Sequence, residues 1–95
     1  MKDIKLDDQA DNEFDMHTES GTAYVLIPHE KGELAVGFHF KVNAQQYVTL
    51  LSIGDAYQEI DGISEDYIYT MQPEHEAAIK QVLEDYISPL YDFNN

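Results

Sequence analysis

From residue 34 to residue 42 the chain alternates without a break. Leu34, Val36, Phe38, Phe40 and Val42 fall on one side and Ala35, Gly37, His39 and Lys41 on the other. A period of two over nine residues predicts a β-strand with one buried face. Upstream, residues 22–28 are rich in β-formers, and Pro28-His29-Glu30-Lys31-Gly32 supplies a turn in which Gly32 suits positive φ. The two segments are expected to form an antiparallel hairpin. Gly37, bare on the open face, leaves room there for a neighbouring group to come close.

Residues 47–53 resemble a third strand, with Val48, Thr49 and Ile53 contributing β-branched side chains. Asn43 followed by Gln46 also has the form of a helix N-terminus, so strand and helix compete over 44–53. Short strands are expected at 56–61 and 66–71, with a turn at Asp61-Gly62 between them.

The period then changes to that of a helix. Ile79, Val82, Leu83, Tyr86 and Ile87 sit at the offsets of one apolar stripe. Pro73 suits the first helical position, and Glu74 and Glu76 favour the positive end of the helix dipole. Pro89 is expected to end the helix, giving a span of 73–88. Leu90, Tyr91 and Phe93 are expected to fold back onto the sheet. Residues 1–20 hold only Ile4, Leu6, Phe14 and Met16 as notable apolar content, and read as an acidic arm or a short edge strand near Ile4.

These elements predict one α+β domain over 1–95. An antiparallel sheet of about four strands, drawn from 22–72, has the single C-terminal helix packed on one face.

Charge changes the picture most. Nineteen acids face five lysines and no arginine, for a net charge of −14. The middle of the chain, 21–54, is neutral; residues 1–20 carry −5 and residues 55–95 carry −9. Such a field repels nucleic acid and anionic membranes and steers basic partners inward. Without arginine the chain lacks the usual bidentate grip on phosphate or carboxylate. There is no cysteine, hence no thiol nucleophile and no disulfide. The first residues have no apolar signal core and no stretch reaches the length of a membrane span, so a cytoplasmic setting, bacterial or host cell, is expected.

Chemical motifs fail on inspection. Aligning Gly62 with the glycine of a calcium loop puts Glu59 and Asp61 at ligand positions, but Tyr57 and Ile68 occupy the two places that most need carboxylates. His29-Glu30 and His75-Glu76 begin like a zinc-protease motif, yet Glu33 and Ile79 stand where the second histidine belongs. No serine sits in a nucleophile-elbow context. No cofactor or metal is expected, and binding is expected in place of catalysis.

What remains is an array of acids interleaved with tyrosines. Glu59 and Asp61, about 6.6 Å apart on an ideal strand, are joined by Asp55, Tyr57, Glu65, Asp66 and Tyr67, and by Glu84 and Asp85 on the helix. Carboxylates held on a rigid scaffold stand in for phosphates, and tyrosines add apolar area with a hydroxyl. The expected function is that of a stoichiometric inhibitor of a basic, nucleic-acid-handling protein. The immunity partner of a nuclease toxin and a phage-type anti-defence mimic of nucleic acid both fit. The alternative is an acidic regulatory or scaffold domain whose charge serves solubility.

Overall fold

The expected hairpin forms in register along its whole length. In the computed structural model, which describes residues 3–29 and 32–92, β3 (Ser20–His29) pairs antiparallel with β4 (Gly32–Val42), from Ser20 opposite Lys41 to His29 opposite Gly32. Glu30 and Lys31 of the expected turn, and Phe93 of the expected tail, lie outside the described residues. Leu34, Val36, Phe38, Phe40 and Val42 are all buried, as the alternation requires. Gly37 is buried on the other face because the Tyr24 ring, on the paired position, covers it: a Cβ there would lie 3.0 Å from that ring.

The sheet has six strands, not about four. Its order is β1-β3-β4-β5-β6, with β2 also paired to β3. β1 (Lys5–Leu6) and β2 (Glu13–Asp15) lie end to end along one edge of β3. The arm is therefore an edge strand twice over. Asn12 spans the gap between the two pieces: its Oδ1 accepts the Tyr24 N–H at 2.8 Å, and its Nδ2 donates to the Asp7 carbonyl at 2.8 Å.

The segments 47–53 and 56–61 are one strand, β5 (Val48–Ile60). Gly54-Asp55 resembles a break but is a bulge, two residues set against Gly37, and Leu51 is a second extra residue farther back. The turn at Asp61-Gly62 is present, with φ of 51° and 81° at its two residues, as a tight two-residue hairpin needs. Such a turn requires its partner strand at once, so β6 is Ile63–Asp66 and not 66–71. Residues 67–72 instead cross to the helix side, where the Tyr69 ring meets Phe38 edge-on at 6.2 Å.

The helix, α1 (Pro73–Asp92), runs through Pro89. Proline removes one backbone hydrogen bond but sits exposed in the last turns, where water can reach the freed carbonyl. That end is held by side chains. The Tyr91 ring lies 5.9 Å from Phe14 of β2, and its hydroxyl donates to the Glu19 carboxylate at 3.3 Å. Ile79, Leu83 and Ile87 are fully buried against Ala23, Val25 and Ile27 of β3 and the inner side chains of β4. Each such large apolar side chain contributes about 1.5–3 kcal/mol by leaving water. The core holds no buried polar or charged side chain among the described residues.

Candidate functional site

The helix covers one face of the sheet, so the location of each acid relative to that face decides what it can do. Pairing fixes the outer face from edge to edge: Lys5, Leu26, Ala35, Tyr57 and Asp66 follow one another across the strands. Tyr57, Glu59 and Asp66 therefore share the outer face, with Asp55 at the bulge beside them. The Asp55 carboxylate lifts the Tyr57 hydroxyl above its ordinary pKa, and burial, Tyr24 and Asp66 add to the effect. A phenol beside carboxylates resists ionising because a second negative charge would be repelled. Tyr57 thus stays a hydrogen-bond donor among acceptors.

The other predicted residues part company. Asp61 is in the β5–β6 turn and does not extend a strand row with Glu59. Glu65 pairs with Gln58, whose neighbours face the helix side. Tyr67 lies on that side too, its ring 5.6 Å from His29. Glu84 is engaged within the fold, where its carboxylate accepts the Val48 N–H at 3.0 Å and ties the helix to the start of β5. Asp85 stands exposed on the helix and accepts from Gln81 at 2.9 Å. Glu84, Asp85 and Glu65 are thus across the sheet from Glu59 and Asp66.

In their place the fold brings up residues from the arm and the hairpin. A depression of about 730 Å³ opens on the outer face, with Tyr57, Glu59 and Asp61 on one flank and Asp7, Asp8 and Glu33 among the others. Lys5 is the one cation lining it among the described residues, and its ammonium stands 3.9 Å from Glu33. A surface pair of this kind contributes about 0–1 kcal/mol and leaves most of the negative field in place. Sequence reasoning missed Asp7, Asp8 and Glu33. The signal available was Ile4 and Leu6 flanking Lys5, the alternation of a short strand that would dock the arm beside β3.

The histidines do not converge. His39 Nδ1 lies 2.9 Å from the Thr22 hydroxyl, His29 Nδ1 lies 3.0 Å from Gln58, and His75 Nδ1 lies 3.0 Å from the Tyr69 hydroxyl. Among the described residues no group of three or more histidine or acidic side chains is arranged to hold a metal ion. Nor, among them, is any helix long and apolar enough to cross a membrane.

What the outer face offers is therefore a concave, carboxylate-lined surface with a protonated tyrosine, suited to receiving cationic side chains. In comparisons with protein families, curated proteins and solved structures, nothing matches this chain.

Proposed function

We propose that this chain is a stoichiometric inhibitor that binds a basic, nucleic-acid-handling protein through the outer face of its sheet. The observation that carries the reading is the depression lined by Asp7, Asp8, Glu33, Glu59 and Asp61 against Lys5, the single cation there among the described residues. Lysine and arginine side chains that normally grip phosphates would find carboxylates there, with Tyr57 as a donor and Leu6, Leu26 and Ala35 as apolar surface beside them. The net charge of −14 steers such a partner in from a distance. Immunity against a nuclease toxin and anti-defence mimicry of nucleic acid both use this chemistry.

The test is a pull-down with the tagged chain at low and high salt, beside the double variant Glu59→Lys with Asp61→Lys. The expected result is a basic nucleic-acid-binding protein recovered at low salt, released by salt and by added DNA or RNA. Reversing the two charges should weaken its binding on the order of tenfold or more. A partner that is neither basic nor displaced by nucleic acid, or that ignores the reversal, overturns the proposal.

One observation favours a second reading, an acidic regulatory or scaffold domain without mimicry. Glu65 and Asp85 are exposed away from the outer face, so negative charge is spread round the molecule as solubility alone would require.

A further inference from the structure

The free edge of β5 differs chemically from the rest of the surface, and two contacts mark its limits. At Val48 the backbone N–H is taken by Glu84, and at Ala56 the carbonyl accepts the Tyr67 N–H at 2.9 Å. Between them, no described strand pairs with residues 49–55 on the side away from β4. The stretch reads Thr-Leu-Leu-Ser-Ile-Gly-Asp, with no charge before its last residue. It has neither the lysine nor the proline that commonly guards an exposed edge. Leu51 and Ile53 stand 57% and 36% exposed on it. The two bulges coil the strand, and the one charge they carry, Asp55, stands at the end of the open stretch.

We propose that a second copy of this chain occupies this edge, antiparallel, about a two-fold axis at Ser52. The register follows from the two limits, because the open stretch is centred on Ser52. Pairing across that axis sets Leu51 against Ile53 of the partner subunit, so the two exposed aliphatic side chains cover each other, twice per dimer. It also sets Thr49 against Asp55 of the partner subunit. Thr49 pairs within its own chain with Lys41, which is exposed and makes no ion pair among the described residues. Lys41 and the partner's Asp55 then lie two strand spacings apart, about 10 Å between backbones, within reach of both side chains together. In one copy Asp55 lies opposite Gly37, four positions along β4 from Lys41, about 13 Å along the strand and one strand over, so the two charges come closer between copies than within one.

This contact leaves the acid-lined depression of the outer face open and does not depend on the inhibitor reading. Salt separates the two. Binding of a basic partner weakens as salt rises, whereas pairing of two copies that each carry −14 strengthens as their repulsion is screened.

The experiment is sedimentation equilibrium on the full chain at low and high salt, with Leu51→Lys, Lys41→Glu and the double variant Lys41→Glu with Asp55→Lys. The expected result is a dimer that tightens with salt. Leu51→Lys should raise its dissociation constant about tenfold or more, with an unchanged circular-dichroism spectrum. Lys41→Glu should weaken the dimer and the double variant restore it. A monomer at every concentration and salt overturns the proposal, as does a dimer indifferent to Leu51→Lys or a double variant that fails to restore it. Protection of the 49–55 amides from hydrogen exchange only when a different protein is added would also overturn it.

Discussion

The hydroxyls of Tyr57, Tyr69, Tyr86 and Tyr91 are all held above the ordinary phenolic pKa of 10.0. For Tyr57 the first cause is the Asp55 carboxylate; for the other three it is burial, with Glu74, Glu13 and Glu19 adding their charge in turn. The consequence for stability has a definite sign. In the unfolded chain these phenols ionise near pH 10, whereas in the fold they keep their protons to higher pH. Their contribution is therefore complete below pH 10 and is lost as pH rises through the folded values, because there the unfolded state binds fewer protons. Denaturant midpoints should fall above pH 10, in step with tyrosinate absorbance. Asp55→Asn should bring the Tyr57 titration towards the ordinary value while leaving that of Tyr86 in place. Midpoints that hold steady while the tyrosines titrate would contradict the account.

Elements are joined in this fold by few polar ties, and the one between α1 and β5 is specific. Glu84 reaches from the helix to the Val48 N–H, a donor that has no strand partner on that side. Glu84→Ala leaves a part-buried amide unsatisfied and should cost about 1–3 kcal/mol, read as a lower denaturant midpoint at unchanged slope. Glu84→Gln keeps an acceptor oxygen and should recover much of the loss. If alanine and glutamine prove equally mild, the tie carries no weight. This role was invisible in the sequence, where Glu84 was one acid among nineteen. The hairpin was legible because Leu34 to Val42 never breaks its period. β5 was not, because the bulges at Leu51 and Gly54-Asp55 shift the inward positions and mimic a turn. β6 was misplaced because the β-forming tyrosines Tyr67 and Tyr69 follow the strand and serve the core beneath it. The acids of the candidate site could be counted in the sequence but not assigned to a face. That assignment depends on which face α1 covers and on where β1 docks, both of which are long-range outcomes.

The molecule as a whole is elongated, 43 × 25 × 23 Å. β5 is its longest strand, thirteen residues, although the two bulges shorten its reach to about 33 Å. β3, β4, β5 and β6 succeed one another in sequence and in space, each paired with the next. Closure at the sides is another matter. Tyr91 meets Glu19 across 72 positions, whereas pairing His29 with Gly32 closes a loop of three. Loop entropy makes the long closure less favourable by about 2–3 kcal/mol, a penalty offset only once the meander exists to receive it. Order in time follows from order in space: the meander should assemble first, and the arm and the end of the helix should lock together last. In pulse-labelled hydrogen exchange during refolding, amides of β3 and β4 should gain protection before those of β1 and β2. Simultaneous protection of all four would mean that the arm belongs to the folding nucleus. If the order holds, the Tyr91–Glu19 latch sets how long the native state persists more than how fast it forms, since a contact made after the barrier slows only the reverse journey.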